Sequence, residues 1–150
     1  FSDLYEKTYE GFNEYCAWHN EIYSSEHTSV FLLPEHKELA SKVPCLGEFF
    51  KYIAWHNMAN TMIEKMGVPS VMLHYEDYNE NFEETFSGLV SFLETEQVSE
   101  PIPFFWHDYP DYFEDDAMDA AVILMKSWAS DETWDLIRRY VDSDSISDAS

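Results

Sequence analysis

The sequence predicts an α/β protein that is mostly helical and carries one central strand of the parallel type at about residues 70–75. The stretch SVMLHY at those positions is apolar, follows Gly67 and Pro69, and is succeeded by an acidic cluster. It is too short for a helix and has the length of a buried strand. The segments on both sides have helical spacing of their apolar residues. Aromatic residues make up 17% of the chain, which favours a folded core over disorder.

The N-terminal half predicts two main helices. The first spans about residues 9–24, and a loop at 25–34 ends at Pro34. A short helical piece at 35–41 follows. Pro44 suits the first turn of a long second helix that runs to about Met66, because its missing N–H is not needed there. Gly67 can adopt the left-handed conformation that ends a helix, and Pro69 prevents its continuation.

Residues 67–94 are predicted to form a strand, an acidic loop and a helix, around which the rest of the chain packs. Asn81, with Glu84 three residues later, has the pattern of a helix N-cap. The helix that follows has one continuous apolar stripe, which consists of Phe82, Phe86, Leu89, Val90 and Leu93.

The C-terminal third predicts an irregular, proline-containing segment at 96–112 and two more helices. One is capped by Asp115 or Asp116 and reaches about Ala129. The other begins at Ser130, with acidic residues in its first turn and arginines at its end. We therefore expect residues 1–141 to be part of a single domain and residues 142–150 to be a polar tail.

The charge of the chain narrows its possible partners. Its formal net charge is −22, and no Lys or Arg lies between Met66 and Met125. Such a field repels nucleic acid and anionic membranes, so we expect neither as a partner. The acidic window is typical of a solvated surface. No apolar stretch is long enough to span a bilayer. The chain begins with Phe1 and contains few glycines, which suggests that it is a fragment of a longer protein.

The cysteines and histidines give no distinct site. Cys16 and Cys45 either form a disulfide or remain buried thiols, and the sequence does not decide between the two. The stretch YCAWHN at 15–20 is echoed by YIAWHN at 52–57, which we interpret as chance or similar packing. His19 and His56 lack a partner at helical i+4 spacing, as a zinc helix would have, so we expect packed histidines and no metal.

Two groups of residues resemble the P-loop sulfotransferase superfamily. The first is the sequence VMLHYEDY at 71–78, followed by Asn81 and the helix that ends in Phe92-Leu93. The second is the pair of C-terminal stretches YFEDD at 112–116 and WASDETW at 128–134, followed by Arg139-Tyr140. In addition, the helix from Phe12 to Cys16 and the stretch from Val43 to Asn57 are similar to a carbohydrate-type or algal branch of that superfamily. The resemblance implies the three-layer α/β fold of these enzymes, to which the predicted strand would belong.

The resemblance also implies an activity. These enzymes transfer a sulfuryl group from 3′-phosphoadenosine 5′-phosphosulfate to a hydroxyl or amine acceptor such as a carbohydrate or small molecule. Tyr75 matches a family tyrosine near the adenine of the donor, so it is the candidate cofactor-binding residue; a purely structural tyrosine is the alternative. The glycine-rich loop with its lysine, the grip on the 3′-phosphate and the catalytic base would precede Phe1 in family order. No catalytic residue is therefore assigned.

The sequence thus predicts the C-terminal portion of a sulfotransferase, inactive by itself, whose compartment by resemblance is the Golgi lumen or the cytoplasm. Acceptor specificity lies in variable loops, so the acceptor stays open. The alternative is an acidic helical domain that binds another protein and has no catalytic activity. In that case residues 71–75 would be helical or paired within this chain.

Overall fold

The computed structural model describes residues 5–23, 32–105 and 113–142. The regular structure of these residues is helical. The elements are α1 (Tyr9–Tyr23), a 3₁₀ turn (Pro34–His36), α2 (Lys37–Ala40), α3 (Leu46–Met66), α4 (Tyr75–Glu80), α5 (Phe82–Phe92), α6 (Asp115–Trp128), α7 (Asp131–Ile137) and α8 (Arg139–Asp142). The chain divides into two compact units, the first comprising Phe1–Lys65 and Asp111–Ser150 and the second Met66–Pro110.

The hydrophobic core of the first unit lies between three elements, which are α2, α6 and the first turn of α3. Its buried members are Ala40, Val43, Leu46, Ala120, Ala121 and Leu124. Ala120 and Ala121 of α6 are small, which allows α2 and α6 to pack closely. Phe49 and Trp128 pack against the edge of this cluster. The predicted α2 and α6 helices are therefore held by the burial of their apolar faces, which is worth more to a short helix than its intrinsic propensity.

A disulfide between Cys16 and Cys45 joins α1 to the residue that precedes α3. Both cysteines are buried, and the structure thus decides between the two alternatives that the sequence left open. Gly47 lies two residues further on, at a point where the helices nearly touch. A Cβ there would lie 2.7 Å from the His19 ring and 2.8 Å from the Tyr23 ring, so no larger residue fits without displacing them.

Two asparagines hold the starts of later helices, and they occupy equivalent positions in the two echoed stretches. Asn20 donates its amide hydrogen to the Val43 carbonyl (2.9 Å) and accepts from the Leu46 N–H (2.8 Å). Asn57 donates to the Trp128 carbonyl (2.8 Å) and accepts from the Ser130 N–H (2.9 Å). Each side chain therefore pairs two backbone groups just before a helix, α3 or α7. Similar packing, one of the two interpretations of the echo, agrees with this geometry.

We expect Asn57→Ala to lower the free energy of unfolding by about 1 to 3 kcal/mol, because it removes the partners of two partly buried backbone groups. Chemical denaturation followed by circular dichroism measures the change. Met58→Ala is the matched control, since Met58 is the next residue of α3 and its side chain is 59% exposed. Equal destabilisation by the two substitutions would show that the hydrogen bonds of Asn57 contribute nothing.

The predicted strand at residues 70–75 is wrong. The described residues contain no β-ladder, and residues 68–74 have no regular secondary structure. His74 has an extended backbone (φ −94°, ψ 136°), but Tyr75 already belongs to α4. Val71, Met72 and Leu73 are exposed rather than buried. An extended segment without a neighbouring strand has no ladder of hydrogen bonds to stabilise it. The predicted α/β class and three-layer fold are therefore wrong for the described residues, whose regular structure is helical.

Two details around the segment that was predicted to be a strand also differ from expectation. The acidic residues after it form the six-residue helix α4 instead of a loop, with Glu76 and Asp77 in its first turn. Asn81 stands at the N-cap position of α5, but its side chain makes no capping hydrogen bond. Residues 67–94 do not organise the molecule either, because every residue of the buried core cluster belongs to the first unit.

Most of the predicted helices are confirmed. The structure has α1, the short helical piece before residue 41, α3, α5, α6 and α7 close to their expected bounds. Gly67 has the expected positive φ of 60°, and the Ser130 hydroxyl accepts from the Thr133 N–H at the start of α7. The loop at 25–34 lies largely outside the described residues, as do residues 106–112 and, apart from Asp142, the polar tail. No described helix is both long and apolar enough to cross a membrane.

Candidate functional site

Tyr75, the one residue that the sequence assigned to a site, opens α4 in the second unit. Its side chain is 42% exposed. Its ring meets the Phe104 ring edge to face, with the centroids 4.9 Å apart. Tyr78, one turn later, stacks on the same Phe104 at 5.9 Å with an angle of 26° between the planes. Phe104 therefore joins the two tyrosines into one aromatic cluster, which leaves part of Tyr75 accessible.

A cleft of about 390 Å³ adjoins this cluster and is formed by three segments of the second unit. These are the end of α4, the first turn of α5 and the proline-containing segment that follows α5. The residues that line it include Tyr78, Asn79, Phe82, Glu83, Glu100 and Phe104. Pro101 and Pro103 complete the wall beside Phe104. The cleft thus combines aromatic surfaces with carboxylates.

The electrostatics of this cleft are unfavourable for a phosphate or a phosphosulfate. Glu83 and Glu100 are both exposed, and no Lys or Arg occurs in the sequence between Met66 and Met125. Phosphate groups in proteins are held by cationic side chains or by backbone N–H groups at helix starts. Tyr75 can therefore offer a ring to a nucleobase, but the carboxylates of Glu83 and Glu100 in the cleft beside it repel the charged part of a donor.

Glu76 and Asp77, which follow Tyr75 directly, lie in the first turn of α4. Negative charge is favourable there because the N-terminal end of a helix carries partial positive charge. The Asp77 carbonyl accepts from the Asn81 N–H (2.9 Å) and from the Thr85 hydroxyl (3.1 Å), which ties α4 to α5. Their arrangement is that of a helix start.

In the first unit, His19 and Glu48 form a pair that the sequence did not reveal. His19 of α1 is 5% exposed, and its Nε2–H donates to Glu48 Oε1 of α3 at 2.9 Å. The same carboxylate oxygen accepts from Lys51 Nζ at 2.6 Å. The His19 ring stacks on Tyr23, with centroids 4.6 Å apart. The expectation of a packed histidine agrees with its burial.

The environment shifts the pKa values of all three groups. Burial lowers the pKa of His19, although the Glu48 charge opposes this effect. Burial acts to raise the pKa of Glu48, but the hydrogen bond and charge of Lys51, together with His19, outweigh it and lower that pKa. The hydrogen bond to Glu48 raises the pKa of Lys51. The imidazole is therefore held neutral beside an ionised carboxylate.

A shallow groove of about 580 Å³ runs along the adjoining face of α3. It is lined by Glu48, Lys51, Tyr52, Trp55 and His56. The His56 ring meets the Tyr52 ring at 4.5 Å and the Trp55 ring at 4.9 Å, and its burial lowers its pKa. Within the described residues, no cluster of three or more His, Cys, Asp or Glu side chains is placed to hold a metal ion.

The shifted pKa of His19 makes the stability of the protein pH-dependent. In the unfolded chain His19 takes up a proton near its ordinary pKa of 6.5, whereas the folded protein takes it up only at lower pH. Stability from this group is therefore complete above pH 6.5 and is lost as the pH falls below it. We expect His19→Gln, which keeps a donor toward Glu48, to reduce this loss.

The measurement is urea denaturation of both proteins at about pH 7.5 and about pH 5.5, a window that brackets the unperturbed histidine pKa. The change in the free energy of unfolding between the two pH values is compared in wild type and variant. This comparison cancels the contribution of the titratable groups that the two proteins share. An identical pH dependence in the two proteins would contradict the neutral, buried state of His19.

No protein-family model, curated protein or solved structure matches this chain. The sulfotransferase resemblance thus remains a prediction from the residues that carry it.

Proposed function

We propose that the chain is part of a sulfotransferase, which transfers a sulfuryl group from 3′-phosphoadenosine 5′-phosphosulfate to a hydroxyl or amine of a carbohydrate or small molecule. The observation that carries the proposal is the position of Tyr75. It follows an extended residue, opens a helix, and keeps part of its ring accessible beside Phe104. A ring in this position can stack on the adenine of the donor.

The spacing of the other motif residues supports the same proposal. Asn81 stands between α4 and α5, and α5 carries the apolar residues of the motif up to Phe92. Ser130 caps α7 within the second stretch that resembles the superfamily. Asn81 and Ser130 therefore stand at the starts of helices, where a change of residue alters the course of the chain.

The donor's charged groups are stabilised by cationic side chains, and the sequence of the second unit contains no Lys or Arg. Transfer of a sulfuryl group requires cations or backbone N–H groups around the 5′-phosphosulfate and a base for the acceptor. Under the proposal Tyr75 contacts only the nucleoside, and these 150 residues alone do not catalyse the transfer.

The disulfide bears on the compartment. Disulfides persist in oxidising compartments and are rare in the cytosol. The bond between buried Cys16 and Cys45 therefore favours the Golgi lumen over the cytoplasm as the location of this enzyme.

The test uses the protein that contains this chain, with 3′-phosphoadenosine 5′-phosphate as the probe in calorimetry. We expect micromolar binding, a loss of about tenfold in affinity for Tyr75→Ala, and a change of no more than about twofold for Tyr75→Phe, which keeps the ring. Transfer of labelled sulfate to a panel of sugars and amines then identifies the acceptor. Absence of nucleotide binding, or equal effects of the two substitutions, contradicts the proposal.

A second candidate is a helical domain that binds another protein without catalysis. The observation that favours it is an exposed apolar stripe on α3, where Trp55, Met58 and Met62 are 59%, 59% and 50% exposed. Their i, i+3, i+7 spacing is that of a seam between two helices. In this case the protein has no affinity for the nucleotide, and Met62→Glu abolishes an association that Glu64→Gln, on the same helix, leaves intact.

A further inference from the structure

The cleft of the second unit has the chemistry of a cation site. Its aromatic members are held by ring contacts on two sides. Tyr78 stacks on Phe104, and Phe82 stacks on Phe86 at 5.8 Å with an interplanar angle of 4°. The centroids of the Tyr78 and Phe82 rings lie 6.1 Å apart, so that the rings form one connected surface. All four rings are partly buried, which fixes their faces in place.

Among the residues that the structure describes, the carboxylates of the cleft have no cationic partner. Glu83 lies in the first turn of α5, and Glu100 lies in the segment that follows this helix. Neither forms an ion pair with any of the described residues. Because no Lys or Arg lies between Met66 and Met125, no cation is available from this stretch of the sequence. The net charge of −22 further raises the local concentration of cations at such a site.

The mixture of rings and carboxylates selects among cations. The face of an aromatic ring attracts a positively charged group through its quadrupole, most strongly when that group is weakly hydrated. A divalent metal needs several oxygen ligands in close geometry, and no such cluster occurs among the residues that the structure describes. An anion is repelled by Glu83 and Glu100. A neutral apolar molecule gains nothing from the two carboxylates.

We propose that this cleft binds a small organic cation through an alkylammonium group, which lies against the faces of Tyr78 and Phe104 with Glu83 and Glu100 as counter-charges. Its volume of about 390 Å³ is large enough to admit a small organic cation. The site is independent of sulfuryl transfer, because it needs neither the donor nor Tyr75.

The test is calorimetric titration of the protein with choline and with 3,3-dimethyl-1-butanol, its neutral analogue of the same shape. We expect choline to bind about tenfold more tightly at low salt, with a preference that shrinks as salt is added. Equal binding of the two probes, or binding of neither, overturns the proposal. No sulfate donor enters the experiment, so its outcome leaves the proposed enzymatic function untouched.

Conservative variants locate the site without disturbing the fold. Glu83→Gln and Glu100→Gln each weaken choline binding several-fold, since they remove a counter-charge and keep the side-chain shape. Glu96→Gln is the matched control, because Glu96 is an exposed carboxylate of the same segment that does not line the cleft. If all three variants weaken binding equally, choline responds only to the overall negative field, and the specific site is refuted.

Discussion

Removal of the disulfide between Cys16 and Cys45 is expected to lower the free energy of unfolding by about 3 to 4 kcal/mol. The bond closes a loop with a sequence separation of 29, so its loss restores considerable freedom to the unfolded chain. Both sulfurs are buried where α1 meets the start of α3. Urea denaturation of the oxidised protein and of Cys16→Ala/Cys45→Ala measures the difference, which is a large part of the stability of a typical domain.

A reducing agent provides the control. It is expected to destabilise the wild-type protein to about the level of the double variant, and to leave the double variant unchanged, since that protein has no bond to reduce. Mass spectrometry of the oxidised protein confirms the absence of free thiols. A double variant as stable as the oxidised wild type would show that packing of α1 on α3 holds the helices without the cross-link.

The helices were accessible to prediction because their signals are local. Pro44 and Gly67 bracket α3, and Ser130 with two acidic residues marks the start of α7. Apolar spacing identified α1, α5 and α6, together with proposed capping residues for α5 and α6. In each case a stretch of about 10 to 20 residues contains both the periodic pattern and its end signals.

The prediction of a strand failed because a strand depends on residues far away in the sequence. Residues 70–75 have the composition of a strand, and His74 does adopt extended dihedral angles. A strand, however, exists only through hydrogen bonds to a neighbouring strand, and the residues that the structure describes contain none. The carboxylates of Glu76 and Asp77 were the overlooked local signal, since acidic residues in sequence favour the first turn of a helix.

The pair of His19 and Glu48 also escaped the sequence, because its members belong to different helices. A search at i+4 spacing within one helix cannot find such a pair. What the sequence analysis lacked was the pairing of Cys16 with Cys45. His19 lies three residues after Cys16, and Glu48 lies three residues after Cys45. Since residues three apart share a helix face, assuming the disulfide would have brought the imidazole and the carboxylate together.

Leu124→Ala is expected to lower the free energy of unfolding by about 2 to 5 kcal/mol. The Leu124 side chain is 0% exposed and lies in the buried cluster with Val43 and Leu46. Its neighbours Ala120 and Ala121 have no side-chain length with which to fill the resulting space. The cost therefore includes both the lost burial of Leu124 and a cavity that the helices cannot close.

Ile123→Ala is the matched control, because Ile123 is the preceding residue of α6 and its side chain is 50% exposed. We expect a change within about 1 kcal/mol for this variant, since little apolar surface is lost and alanine favours the helix. Thermal unfolding followed by circular dichroism compares the two proteins at equal concentration. Similar transition temperatures would place the core elsewhere than between α2, the start of α3 and α6. The large difference that we expect requires Leu124 to point inward and Ile123 outward, so the pair tests the register of α6 directly.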